Sequence, residues 1–244
     1  MNQWIAFWNI LKKDMRNYYL KPPNISWGII FPVAWTLMFF LRSREPLDIR
    51  ALLPGIMSMS VLFGTTSMLA VTITFERRGR SFERLLLAPV SINLLMAAKT
   101  SGAVIFGTFN AGVPLILSLL WTDLTGVQWT VLIPAAVLIA VTSTFLGLFI
   151  AVSVSEVFEA QTFSNFFRFP MLFLCGLFIP IADLPWFLRP LSYVIPLTYG
   201  ADMLKEAVNG NGVLPVQLSL GMLVLFASAL FILSIRNVKQ SWIG

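Results

Sequence analysis

From position 51 to position 75 the chain carries 25 residues without one charged side chain. Coiled as an α-helix at about 1.5 Å per residue, such a run is roughly 38 Å long, enough to cross the ~30 Å hydrocarbon core of a bilayer. Five more apolar runs lie at 25–41, 100–121, 130–154, 163–179 and 213–235, and among these only the run at 163–179 holds a charge, Arg168, near one end. Backbone inside lipid must satisfy its own hydrogen bonds, and single runs of this length do so as helices. The expectation is an all-α polytopic membrane protein with six transmembrane helices. A chain that is 57% hydrophobic and only 11% charged, with a mean hydropathy of +0.82, could not hide so much apolar surface in water.

The charges fall in the breaks between the runs. Six spans place both termini on one side, and the segments of that side hold twelve of the 17 Lys and Arg residues against five in the other breaks. The positive-inside rule then puts both termini in the cytoplasm. Residues 1–24 carry Trp4, Phe7, Trp8, Leu11, Met15 and Tyr18 at three- and four-residue spacing, with Lys12, Lys13 and Arg16 on another face, before Pro22 and Pro23. That pattern predicts an amphipathic helix lying in the membrane interface. The net charge of +6 is accounted for by this topology and by anionic lipid, so the bilayer is the expected partner and nucleic acid is not.

The spans carry few polar groups, and these are candidates for a path. Ser58, Thr65 and Thr72 are seven residues apart and share a helix face; they fit either helix packing through small hydroxyl residues or the lining of a substrate path. Asn165 and Phe169 flank Arg168 near the cytoplasmic end of the fifth span and belong to the same candidate path. Glu156 and Glu159, one helical turn apart, read either as wetted residues at a span's end or, with Arg168, as a proton relay. Residues 180–212 join the last two spans. The prolines at 180, 185, 190 and 196 leave room only for short helical pieces between them, yet the pieces are apolar and aromatic. A re-entrant hairpin at the outer interface is expected, with Pro180, Pro185, Trp186, Pro196 and Tyr199 as its markers.

An engine is missing. Histidine is absent, the single cysteine, Cys175, permits no internal disulfide, and neither GxxxxGK[ST] nor GxSxG occurs. Metal sites and catalysis within this chain are not expected. What remains is the polar break 76–99, which holds Arg77, Arg78, Arg80, Arg84 and Lys99 with two carboxylates and a leucine cluster. A short helix at 80–87, with Phe82, Leu85 and Leu86 on one side and Arg80, Glu83 and Arg84 beside them, suits docking into a groove on a soluble protein.

This break resembles the cytoplasmic segment of type-2 ATP-binding-cassette transporter permeases, in Glu76, Gly79, Glu83, Leu85 to Leu87, Ala88, Pro89 and Ser91. The hairpin is similar to the same family's pattern in Pro180, Leu184-Pro185 and Pro196-Leu197-Thr198. The resemblance covers the whole chain as one permease domain, 1–244. It implies a prokaryotic inner-membrane export subunit, not itself an enzyme, that pairs with a second permease copy as a homodimer or close heterodimer. Separate ATPase subunits would bind ATP and Mg²⁺ and dock through a coupling helix, for which Glu76, Gly79, Arg80, Phe82, Glu83, Leu85 and Leu86 are the candidate residues. The implied cargo is an amphiphilic or drug-like molecule or a lipid-linked glycan. The competing class is a proton-coupled secondary transporter or channel built on Glu156, Glu159 and Arg168.

Overall fold

The computed structural model describes residues 3–42, 48–120, 122–238 and 240, and all regular structure among them is helical. Helix α1 (Gln3–Asp14) leads through a π-helical turn (Met15–Tyr19) to α2 (Pro22–Ile25), a second π turn (Ser26–Ile30) and α3 (Phe31–Arg42). Then come α4 (Ile49–Arg78), the short α5 (Ser81–Leu86), α6 (Ile92–Ser118), α7 (Trp129–Ser153) and α8 (Val157–Leu174). A 3-10 turn (Ile181–Asp183), α9 (Arg189–Tyr193), α10 (Pro196–Asn209) and α11 (Val216–Val238) complete the order. Among the described residues four helices, α4, α6, α7 and α11, are long and apolar enough to cross a membrane.

Helix α4 is the centre of the fold, with α6, α7, α8 and α10 packed on it. Of its most apolar stretch 89% is buried inside the protein, against 22% for α11, so α4 faces protein and α11 faces outward. Small residues permit the crowding. A Cβ on Gly147 of α7 would stand 2.3 Å from the Thr66 carbonyl oxygen of α4, so only glycine allows that crossing. The ends of α4 are capped: the Asp48 carboxylate accepts from the backbone N–H of Arg50 and Ala51, and Gly79 N–H donates to Phe75 O at 3.0 Å.

At its N-terminal end α4 is clamped by Arg50. The guanidinium donates to Val208 O (2.9 and 3.0 Å), Thr125 O (3.0 Å) and Asp123 O (3.4 Å). The α6–α7 turn and the C-terminus of α10 therefore lie beside the start of α4. At the other end, about 45 Å away along a helix of this length, lie α1, α5, the start of α6 and the start of α8. Two apolar clusters fill the fold: one joins α4, α7, α8, α10 and the α6–α7 turn, and the other joins α1, α5, α6 and the C-terminal half of α4 with the end of α7.

Several boundaries differ from those expected. The first apolar run extends by a few residues, 22–42 being continuously helical, with a π turn at Ser26–Ile30 immediately before Pro32, where the sequence predicts a kink. Pro32 sits in the first turn of α3, and the turn before it is widened to a π turn, which accommodates the missing proline N–H. The polar break is shorter than 76–99, because α4 runs on through Arg78 and α6 starts at Ile92 under a Ser91 cap, whose Oγ accepts from Leu94 N–H. Lys99 thus belongs to α6. The fifth helix begins at Val157 and stops at Leu174, before the left-handed Gly176, and the 180–212 segment includes a 14-residue helix, α10, packed on α4, α7 and α11.

Candidate functional site

The most unusual chemistry lies beneath α1, where four charged side chains from three helices meet. Lys99 Nζ donates to Asp14 Oδ2 at 3.1 Å and closely to Glu76 Oε2. Lys13 Nζ donates to Glu76 Oε1 at 2.6 Å and lies 3.2 Å from Asp14 Oδ1. Asp14, Glu76 and Lys99 are each 1% exposed, while the Lys13 side chain is 36% exposed. Two ammonium groups against two carboxylates make the set neutral, which lets it be buried. Burial pulls the Lys13 ammonium down, but its hydrogen bond to Glu76 and the charges of Asp14 and Glu76 outweigh this and raise its pKa above the usual lysine value.

The network ties the end of α1, the end of α4 and the first turns of α6 into one joint. Tyr19 adds to it, its hydroxyl donating to Lys99 O at 3.3 Å. Phe82 of α5, 1% exposed, belongs to an apolar cluster with Ile10 of α1, Ile73 of α4, and Leu95 and Met96 of α6, the same three helices that supply the network.

The candidate coupling residues divide into two sets. Glu76 and Phe82 are interior, Gly79 caps α4, and Leu85 is half-buried against the same cluster. Arg80, in the left-handed region at φ 55°, is exposed, as are Arg84 and Leu87, the last at 86%. Glu83 and Leu86 contribute backbone to α5, and their side chains lie outside the described part of the structure. Sequence reasoning missed Lys13, Asp14 and Lys99 as a set. The signal for it was Lys99 beside an apolar run, with Asp14 as the only acid in the N-terminal helix. In α1, Ala6, Ile10, Leu11 and Asp14 are buried against the protein, whereas Trp4 and Trp8 point outward.

Of the candidate path residues, Ser58, Thr65 and Thr72 are all buried in α4, and the first two turn their hydroxyls back onto the Pro54 and Val61 carbonyls at 2.8 Å. Asn165 and Phe169 do gather at one place, around Arg168. That guanidinium, 1% exposed, donates to Ser67 Oγ (2.9 Å), Ser164 O (3.3 Å), Phe63 O (3.4 Å) and, closely, Asn165 Oδ1. Its carbon lies 4.5 Å over the Phe63 ring, against which Phe169 packs edge-on.

Glu156 and Glu159 are not brought to Arg168. They form a capping box at the start of α8, where Glu159 Oε2 accepts from Ser155 N–H (3.1 Å) and Glu156 N–H (3.2 Å), and Glu156 pairs with Arg78 at 2.8 Å in the open. In the hairpin, Pro180 caps the 3-10 turn, Pro185 and the 81%-exposed Trp186 follow it, and Pro196 opens α10. Tyr199 is buried, its hydroxyl donating to Tyr193 O at 2.8 Å. Among the described residues no three His, Cys, Asp or Glu side chains converge as metal ligands.

The chain is 25% identical over 242 residues to the inner membrane transport permease YadH of Escherichia coli strain K12, a match covering 94% of this chain and 93% of that protein. YadH of Escherichia coli O157:H7 and of Shigella flexneri match to the same extent. Residues 5–208 match the family described as ABC-2 type transporter. With that match running over most of its length, this multi-pass membrane protein belongs to the ABC-2 type transporter family.

Proposed function

We propose that this chain is the membrane-spanning permease subunit of an ATP-driven exporter in a prokaryotic inner membrane. It crosses six times, with residues 22–42 and α8 adding two spans to the four long apolar helices. Both termini, α1 and α5 face the cytoplasm. A second permease copy completes the path, and separate ATPase subunits hold the ATP and Mg²⁺. The cargo is an amphiphilic or drug-like molecule or a lipid-linked glycan.

The observation that carries this reading is the buried joint of Lys13, Asp14, Glu76 and Lys99, whose helices α1, α4 and α6 share an apolar cluster with Phe82 of α5. A subunit driven from outside needs a docking element rigidly tied to its spans, and Phe82 with this network provides the tie. The contact offered to the ATPase is then the exposed edge of α5 and its flanks, Arg80, Arg84 and Leu87, with Glu76 and Phe82 transmitting rather than touching. Arg84→Glu combined with Leu87→Asp should cut ATPase copurification from membranes at least tenfold and leave thermal stability unchanged. Undiminished copurification and transport in that variant defeats the docking role.

A further inference from the structure

Among the described residues Arg168 is the buried cation that no carboxylate neutralises. Its four hydrogen bonds run to neutral acceptors: two carbonyls, the Ser67 hydroxyl and the Asn165 amide. A guanidinium at membrane depth facing only dipoles is costly, and such groups are normally paired. Eight acids among the described residues are occupied elsewhere. Asp14 and Glu76 serve Lys13 and Lys99, and Asp202 and Glu206 accept the backbone N–H groups of Gly212, Val213 and Leu214. Asp48, Glu156 and Glu159 cap helices, and Asp123 holds Thr125. Phe63 and Ser67 sit in the middle of α4, and Ser67 is nine residues, about 13 Å along a helix, from Glu76. A symmetric second copy brings the same acids at the same depths.

We propose that Arg168, with Ser67 and Asn165, is a site for the anionic head group of an amphiphile held within the membrane. The planar fork of an arginine suits phosphate or carboxylate oxygens, which accept two parallel N–H donors. Ser67 Oγ supplies a further hydroxyl, and Asn165, half-exposed, is the group that yields its place on the guanidinium. The surroundings fit an apolar tail: the Phe63 ring lies against the guanidinium, Phe169 packs edge-on against Phe63, and Phe166 of α8 is 70% exposed. This assignment rests on the six-span permease reading and deepens it by giving the cargo or lipid a charge. Its test reads binding rather than transport, so either can fail without the other.

The test uses the full chain purified in dodecyl maltoside, with binding followed by tryptophan fluorescence and thermal unfolding. Decyl phosphate should bind at least tenfold more tightly than decyltrimethylammonium, and inorganic phosphate alone should have no effect. Arg168→Gln should erase the preference, and Arg168→Lys should retain part of it. Ser67→Asp, which places a carboxylate where the hydroxyl accepts from Arg168, should remove anion binding without loss of the arginine, and it serves where Arg168→Gln does not fold. Equal binding of the two head groups, or a preference surviving in Arg168→Gln or Ser67→Asp, overturns the site. In phosphatidylcholine nanodiscs, displacement of decyl phosphate by added phosphatidylglycerol identifies a resident lipid as the source of the anion. Undisturbed binding identifies a diffusing anionic cargo, and both results support the site.

Discussion

Replacing Lys99 with methionine keeps the length of the side chain and removes one charge from the joint between α1, α4 and α6. Two carboxylates, Asp14 and Glu76, each 1% exposed, are then left with only Lys13, which is partly open to solvent. Breaking a buried pair by removing one partner costs about 3–5 kcal/mol; since Lys13 still touches both acids, about 3 kcal/mol is expected. In a chain of this size each kcal/mol moves the unfolding midpoint by about 2–4 °C, so Lys99→Met should lose roughly 6–12 °C. Adding Glu76→Gln restores a neutral Lys13–Asp14 pair, so the double variant should recover about 2 kcal/mol of that loss rather than add to it. Thermal unfolding in dodecyl maltoside, read from intrinsic tryptophan fluorescence across the four members of the cycle, measures this directly. A Lys99→Met shift below 2 °C, or strictly additive losses in the double variant, would show that the charges are wetted and that the joint does not exist as described.

Three further substitutions probe the rest of the frame. Glu159→Ala removes the acceptor for two backbone N–H groups at the start of α8, worth about 1 kcal/mol. Transport should keep its pH profile, and a collapsed or shifted profile would make Glu159 a proton carrier instead. Gly147→Ala drives a methyl group into the Thr66 carbonyl, a backbone atom that cannot swing aside; a loss of about 1–3 kcal/mol or more should register as a fall in monodisperse protein on size exclusion, and a wild-type yield would mean a looser α4–α7 crossing. Arg50→Ala strips hydrogen bonds from the Val208, Thr125 and Asp123 carbonyls, and hydrogen exchange in the α6–α7 turn should quicken at least tenfold, with unchanged exchange refuting the clamp.

The parts of this fold that were legible in the sequence are those set by lipid thickness and by charge in the breaks. The run at 51–75 became α4, and the break after it became α5, with the helix ends displaced by a few residues. The displacement has a physical cause: Arg77, Arg78 and Lys99 are charged, yet they extend α4 and α6, because Arg77 donates to the Val154 carbonyl, Arg78 meets Glu156 and Lys99 meets two buried acids. A charge ends an apolar run in the sequence, but it ends a helix only when nothing nearby receives it. The same rule explains Glu156 and Glu159, where spacing offered a relay and geometry supplied a cap. Pairings across 63 and 85 positions of sequence, such as Lys13–Glu76 and Asp14–Lys99, leave no local pattern to read.

Helix α4 carries three polar stations along its length, and their order bears on how force could reach a bound molecule. Arg50 clamps one end to the α6–α7 turn and α10, and Glu76 fixes the other end to α1 and α6. Between them, Phe63 and Ser67 meet Arg168 of α8. Both ends of α4 are thus held by several hydrogen bonds each, to α1 and α6 at one end and to the α6–α7 turn and α10 at the other. The contact with α8 is different in kind. Opening it breaks the two hydrogen bonds from Arg168 to Phe63 O and Ser67 Oγ and the ring contact with Phe63, whereas the bonds to Ser164 and Asn165 lie within α8 and survive. Separation of α8 from α4 therefore withdraws from Arg168 the acceptors that satisfy it on the α4 side, and that opened state is where an anion from outside the chain gains most by binding.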